Sequence, residues 1–202
     1  MSSHSLTVLL PVTRAWAMGP VVEAIAVSDI PRGRLILVLD APGCEAWEPA
    51  LAAIGFSVET TATGNPDPPQ GRHERRERHR AMRRLTQALV PDGPLLCLED
   101  DTIVPADVYA HLAAAGVNAT AVQVGRHRCR AVGVHGYKRT SRIEPVTACG
   151  HYCLLTTGEA YKGAAVPDAK AIDTGHTSQI QPLVVDWECV CGHLTERGVL
   201  YP

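Results

Sequence analysis

The 202-residue chain holds a single Phe, and aromatic residues make up only 4% of it. A row of interleaved aromatics on which unpaired bases stack is therefore not to be expected. Excess charge of one sign is also lacking. Nineteen Lys and Arg face 21 Asp and Glu, for a net charge of -2, so no whole-molecule field pulls the chain toward nucleic acid or an anionic membrane. No apolar run approaches the ~20 residues of a membrane span. Cys-x-x-Cys spacing, internal repeats and low-complexity linkers are missing as well. The seven Cys are odd in number, in a chain too long to need disulfide staples. The opening "MSSHSLTVLLPVTRAW" has no basic leader, and Pro11 and Arg14 interrupt its apolar run. It reads as a first strand rather than a signal peptide, which makes reduced thiols in a cytoplasm the expectation.

What is present is an ordinary globular composition, 46% hydrophobic and 20% charged, enough for one substantial core and a single domain over 1–202. Continuous apolar strands are expected at "SLTVLLPV" (5–12) and "RLILVLDAPG" (34–43), with a more polar strand at 56–63. Helical spacing covers 19–30 and 45–55. The breaker-rich "GNPDPPQG" (64–71) is loop, and a long basic helix follows over 72–89. A fourth strand ends in "LLCLEDDTIVP" (95–105), and Pro105 is expected in the first turn of a helix over 105–116. Alternating strand and helix argue for α/β architecture with a largely parallel sheet and helices on both faces. Further strands are expected at 119–125, 130–136, 146–156 and 181–194.

The fourth strand poses the chemical question. Leu95 to Leu98 is apolar, and Glu99, Asp100 and Asp101 follow at once. Three adjacent carboxylates raise one another's pKa unless something positive sits between them. Asp40 ends the second strand in the same way, and in an open α/β sheet ligands bind outside the carboxyl ends of strands. A hard divalent cation, Mg2+ or Mn2+, suits such oxygen donors. On the basic helix, Met82, Leu85 and Leu89 define an apolar face, and Arg78 and then Arg75 fall on that side. Arg72, Arg76, Arg80, Arg83 and Arg84 fall mostly elsewhere, as a solvated face. Arg78, at the core edge, is placed to reach a phosphate or nucleotide.

"TVLLPVTR", "LILVLDAPG", an Arg-bearing helix and "LLCLEDDTIVPADV" follow one another in an order that resembles GT-A glycosyltransferases, especially the inverting family 2. The resemblance covers roughly residues 5–110. It implies a metal-dependent transfer of sugar from a nucleoside-diphosphate sugar, a UDP- or GDP-sugar, to an acceptor hydroxyl. On that reading Pro11, Thr13 and Arg14 lie at the nucleotide, Asp40 meets base or ribose, and Glu99 and Asp100 face ribose and diphosphate. Asp101 is the metal ligand. The second half (about 111–202), the acceptor side, resembles the family more faintly through "ACGHYCLLTTGEAY", "AIDTGHTSQI" and "PLVVDWECVCGHL". There Asp173 would be the general base and His193 would complete the metal shell or touch the diphosphate. Ile172 stands where the family has Glu, so Asp186 is kept as the fallback base.

Three other readings compete. "CGHYC" and "CVCGH" place Cys149, His151, Cys153 and Cys189, Cys191, His193 at alternate positions, as soft ligands for a structural zinc. The basic helix, with "GRHRCR" and "YKRTSR", suits a nucleic-acid-binding module, or an enzyme whose acceptor is a polyanion. A nucleotidyltransferase shares the fold and metal but wants a Gly-rich loop after the first strand, which "PVTRAWAMGP" supplies poorly. Nothing in the sequence names the donor sugar, the acceptor or the oligomeric state.

Overall fold

The structure, a computed structural model, describes residues 5–65, 67, 71–123, 134–168 and 171–201. It begins with β1 (Thr7–Val12), a 3-10 turn (Ala15–Ala17) and α1 (Met18–Val27), then β2 (Arg34–Leu39), α2 (Trp47–Ala53), β3 (Ser57–Ala62) and the long α3 (Gly71–Leu89). β4 (Pro94–Leu98), β5 (Thr102–Ile103), α4 (Val108–Ala115) and β6 (Ala119–Gln123) follow. Beyond them lie β7 (Val134–His135), β8 (Ile143–Val146), β9 (Ala148–Cys149), β10 (Cys153–Thr157), α5 (Gly158–Gly163), α6 (Ile172–Thr177), β11 (Leu183–Thr195) and β12 (Gly198–Leu200).

The main sheet runs β12-β11-β6-β10-β4-β1-β2-β3. β1 pairs parallel to both β2 and β4, and β2 parallel to β3. β10 is inserted antiparallel between β4 and β6, and β11 again runs parallel to β6. Alternation within the strands explains why both faces are covered. Val8, Leu10, Leu35, Leu37, Leu96 and Leu98 share one core with Val21 and Ile25 of α1, Trp47 of α2 and Leu112 of α4. Leu9, Ile36, Val38, Leu95 and Cys97 point the other way, into a second core with Met82 of α3 and Tyr161 of α5. Apolar residues at every position are what a sheet buried on both sides requires.

The pairing of β1 opens the place where a ligand would sit. Its ladder with β2 continues to Val12↔Leu39, but the ladder with β4 stops at Leu9↔Cys97. Pro11 has no N–H to give to a ladder. Beyond it the tips of β1 and β4 no longer pair with each other, at the point where the strand order reverses, and a crevice forms there.

Several expectations shift. α4 starts at Val108 with Asp107 as its N-cap, so Pro105 lies upstream of the helix and only lends its carbonyl to the Val108 N–H. The segment expected as one strand over 146–156 is three short ones, because Gly150, His151 and Tyr152 turn between β9 and β10. On α3 the inner face is Met82, Arg83 and Thr86, while Leu85 and Leu89 are only half-buried. Arg83 is therefore misplaced by the sequence reading: it is 3% exposed, and it is tolerated there because hydrogen-bonding partners meet it from α5 and α6. The "GRHRCR" stretch lies outside the described residues. Among those described, no helix is long and apolar enough to cross a membrane.

Candidate active site

Three parallel strands deliver their tips to one edge. β1 ends in Thr13 and Arg14, β2 in Asp40, and β4 in Glu99, Asp100 and Asp101. β10 runs the opposite way, with Cys153 beside Leu98, so it is the approach to this strand, His151 and Tyr152, that reaches the same edge. α3 and α6 close over the top. The result is a cleft of about 600 Å3. Pro11, Thr13, Arg14, Asp40, Glu99, Asp100 and Asp101 line it from the sheet, Arg75 and Arg78 from α3, Asp173 from α6 and His193 from β11. The residues that the family resemblance singled out for donor, metal and base all border this one cleft, while the fallback base Asp186 and the cysteines of the zinc reading do not. Ala41, His79, Met82 and Arg83 join them unforeseen.

The acidic tip is bound up with the end of β1. Asp100 Oδ2 accepts from the Thr13 backbone N–H at 2.5 Å and from Thr13 Oγ1 at 3.1 Å. Arg14 donates to Asp100 Oδ1 and also lies 3.1 Å from Asp101 Oδ2. His193 Nε2 stands 3.5 Å from the same Asp101 oxygen. Asp100 and Asp101 are buried, and one guanidinium serves them both. Burial is the main cause that pushes the Glu99 carboxyl up to about 8, with Asp173 and Asp101 adding to it and Arg83 and Arg14 opposing. Burial likewise raises Asp100, against the pull of Arg14 and Thr13. Arg14 is held above the ordinary guanidinium range: burial works against its charge, and Asp100, Asp101 and Glu99 outweigh burial.

Asp40 closes the side of the cleft at the tip of β2. Its backbone N–H bonds to Val12 O at 2.9 Å, and its Oδ1 accepts from Thr63 Oγ1 at 2.5 Å and Asn65 Nδ2 at 2.7 Å. Thr63 and Asn65, just past β3, also border a smaller hollow of about 340 Å3 that Arg78 separates from the main cleft. Arg78 gives one amino group to Glu74 at 3.1 Å, while its Nη1 is buried without a hydrogen-bond partner among the described residues. An unsatisfied buried donor of this kind costs ~1–3 kcal/mol and is relieved by an anionic ligand. Arg75, one turn earlier, is exposed.

Asp173 stands in a different setting. Arg83 Nη2 donates to its Oδ1 at 2.7 Å, and His151 Nδ1 and His79 Nε2 lie 2.9 and 3.0 Å from that same oxygen. Burial alone would raise this carboxyl, but Arg83, then the bonds to His151 and His79, hold it well below the usual carboxylate range. Arg83 itself is fixed by Tyr161 OH at 2.9 Å, and Tyr161 OH shares a 2.8 Å bond with Thr86 Oγ1. Thr177 Oγ1 bonds both ways with the backbone of Cys149, at 2.6 and 3.0 Å, which moors α6 to the segment that carries His151.

The fallback base and the zinc reading find no support in this geometry. Asp186 is fully buried away from the cleft, 2.9 Å from His111 and 3.0 Å from Arg142. It is a structural acid that ties α4 to the loop before β8. His151 turns to Asp173 and His176, and His193 to Asp101. Cys149, Cys153, Cys189 and Cys191 are packed in the two cores. Among the described residues no three His, Cys, Asp or Glu gather to hold a metal by themselves. Asp101 and His193 are a two-membered donor set, carboxylate and imidazole, bordering open cleft. That set fits Mg2+ or Mn2+, which commonly draw remaining ligands from substrate phosphates and water.

Comparison with solved structures decides the architecture. S. aureus TarS 1–349 in complex with UDP-GlcNAc aligns over 98% of this chain with a TM-score of 0.59 at 11% identity. The fold is GT-A-like. The same GT-A frame aligns with mannosyltransferase PcManGT from Pyrobaculum calidifontis in complex with GDP-Man and Mn2+ (TM-score 0.52, 13% identity, 91% of this chain). The nucleoside-diphosphate-sugar pyrophosphorylase from Vibrio cholerae RC9 aligns over 97% of this chain and 94% of its own, with a TM-score of 0.56 at 11% identity. The chain spans 58% of that TarS structure and 54% of PcManGT. No protein-family model and no curated protein matches the sequence.

Proposed function

We propose that the chain is a single-domain glycosyltransferase that moves a sugar from a nucleoside-diphosphate sugar to an acceptor hydroxyl with inversion, in a reducing cytoplasm. The observation that carries this is the meeting, in one cleft, of a strand-tip acid cluster with Asp173 on α6. The neighbours bound to UDP-GlcNAc and to GDP-Man with Mn2+ support a donor of this class.

Asp40, with Pro11 and Asn65 beside it, would hold the base or ribose. Arg78, whose Nη1 lacks a partner among the described residues, and Arg75 would meet the diphosphate. Asp101 and His193 would hold Mg2+ or Mn2+. When bound, that ion supplies a Lewis acid for the charge that grows on the departing diphosphate. Asp173 presents one oxygen to Arg83 and two histidines, and its Oδ2 is the atom left to orient the acceptor hydroxyl. Its low pKa keeps it ionised at any working pH. Such a carboxylate is a weak base, so it takes the proton late, as attack on the anomeric carbon makes the hydroxyl acidic. His79, about one-third exposed and 3.0 Å from Asp173, gives that proton a way out to water. The exposed arginines of α3 suit an acceptor that is a saccharide or carries negative charge.

Calorimetry with UDP and GDP, each with Mn2+ and with a chelator, tests this. Metal-dependent binding of one nucleotide, followed by transfer from its sugar conjugate, is expected. Binding of neither nucleotide overturns the proposal.

A nucleotidyltransferase is the second reading, favoured by near-complete coverage of the pyrophosphorylase. The segment after β1 argues against it: Ala15–Ala17 turn directly into α1, with no Gly-rich loop to cradle a triphosphate. Pyrophosphate release from a nucleoside triphosphate and a sugar phosphate would establish it instead.

A further inference from the structure

Behind Asp173 lies a line of buried groups that the transfer reaction itself does not use. His151 Nδ1 is 2.9 Å from Asp173 Oδ1, and His151 Nε2 is 3.0 Å from His176 Nδ1. His176 Nε2 lies 3.1 Å from the backbone carbonyl of Tyr161. Both imidazoles are essentially inaccessible, at 1% and 0% exposure. The line therefore has three links and an acceptor at each end, a carboxylate and a carbonyl.

Counting protons shows that this line is one short. Each link needs one N–H, and two neutral imidazoles carry two between them. A third proton would make an imidazolium. It would be buried beside the Arg83 guanidinium, shut off from bulk solvent, and the favourable charges near it are already engaged with Arg83. Burial first, then Arg83, accordingly push His151 down to about 3 and His176 down to about 4. One link must be left without its proton.

Gln87 decides which. Its Nε2 lies 2.6 Å from Ala164 O and 3.1 Å from Tyr161 O, so its nitrogen, not its oxygen, faces this end. The same nitrogen is 3.2 Å from His176 Nε2. If one amide hydrogen goes to Ala164 O, the other is free for His176 Nε2. His176 then carries its proton on Nδ1 and gives it to His151 Nε2. His151 in turn carries its proton on Nδ1 and gives it to Asp173. Every N–H points toward the carboxylate. The opposite arrangement satisfies Tyr161 O but turns a bare imidazole nitrogen on the carboxylate at 2.9 Å.

We propose that Gln87 is a positioning residue for Asp173, acting through His176 and His151 by fixing both as Nδ1–H tautomers. The charged and titratable groups facing the assembly are Arg83 and His79 from α3, Tyr161 OH from α5, and Glu99 from the strand tip. None of them supplies a proton to His176 Nε2. The inference rests on the reading of Asp173 as the base, because only then does its orientation affect turnover.

Long-range nitrogen–proton correlation spectra of the 15N-labelled full chain test the assignment without any variant. At neutral pH both His151 and His176 should carry the proton on Nδ1 and have Nε2 bare. Any other pattern, both rings protonated on Nε2, one ring on each nitrogen, or one of them an imidazolium, overturns the proposal. Gln87→Met, close in shape but without the donor, should convert both rings to the Nε2–H form. It should also lower kcat roughly tenfold or more while donor KM holds, as a loosened base does. Unchanged tautomers in that variant overturn the proposal too. If the tautomers and their switch are as stated but no nucleotide sugar supports transfer, the positioning role stands and the transferase reading falls.

Discussion

Two carboxylate sites face each other across one cleft, and they are neutralised in opposite ways. At the strand tip, Asp100 and Asp101 both take the Arg14 guanidinium, and both Glu99 and Asp100 are held above their ordinary range. On α6, the one carboxylate of Asp173 has Arg83, His151 and His79 around a single oxygen and is held well below it. The first site is short of positive charge and suits a cation and the polar groups of a donor. The second is fully supplied and suits a carboxylate that must stay ionised while a neutral hydroxyl approaches. On the proposed function, the contrast is that between a binding site and a proton acceptor, although both are built from acids.

The contrast can be broken most directly at Asp101. Asp101→Asn should abolish metal-dependent transfer and remove the effect of Mn2+ on nucleotide affinity in calorimetry, with the circular dichroism of the chain unchanged. A variant that still responds to Mn2+ as the wild type does removes Asp101 from the ion. On the opposite wall, Asp173→Asn should lower kcat by ~10²–10⁴-fold while the nucleotide dissociation constant is preserved. Equal loss in both quantities would place Asp173 in donor binding.

Arg83→Met probes the fully supplied side by stability. Removing one partner of a buried ion pair costs about 3–5 kcal/mol, to be read from urea unfolding. A loss under 1 kcal/mol would mean that the histidines alone hold the carboxylate.

The remaining effect is in the pH dependence of stability, and here the two sites have opposite signs. In chelator-treated protein, Glu99 titrates near 8 when folded and near ~4.3 when unfolded. Between those values the folded state holds the extra proton, so this group makes stability fall as pH rises. His151 and His176 titrate at about 3 and about 4 when folded and near ~6.5 when unfolded. Below ~6.5 the unfolded state takes up protons that the folded state refuses, so these groups make stability fall as pH drops. Glu99→Gln should raise the melting temperature more at pH 8 than at pH 5. Equal gains at both values would contradict the raised Glu99 pKa.

Much of the strand-tip site is legible in sequence because each apolar run stops at its chemical residue. "LILVLD" ends on Asp40 and "LLCLEDD" on the acids, and a parallel sheet brings such ends to one edge whatever the loops do. Asp173 is legible only through family resemblance, since nothing in the spacing of "AIDTGHTSQI" announces a helix or its partner. Arg83 is misread for a physical reason. Reading α3 by its apolar residues, Met82, Leu85 and Leu89, sends an arginine outward, because burying an unpaired charge is costly. The compensating groups, Asp173 and Tyr161, are 90 and 78 residues away. A signal was present in the polar series His79, Arg83, Thr86 and Gln87, which follows helical spacing and meets α5 and α6 along one line. His176 and Gln87 escape notice for the same reason: their meaning lies in counting hydrogen atoms, which needs coordinates.

The short pairing of Thr102 and Ile103 with Gly192 and His193 has a bearing on how the protein is made. Residues 7–98 contain β1 through β4 with their intervening helices, a run of neighbouring contacts able to assemble early as the chain leaves the ribosome. His193 joins Asp101 only after some ninety more residues have emerged. A nascent chain arrested before that point would have formed the crevice between β1 and β4 and still lack one of the two residues proposed to hold an ion.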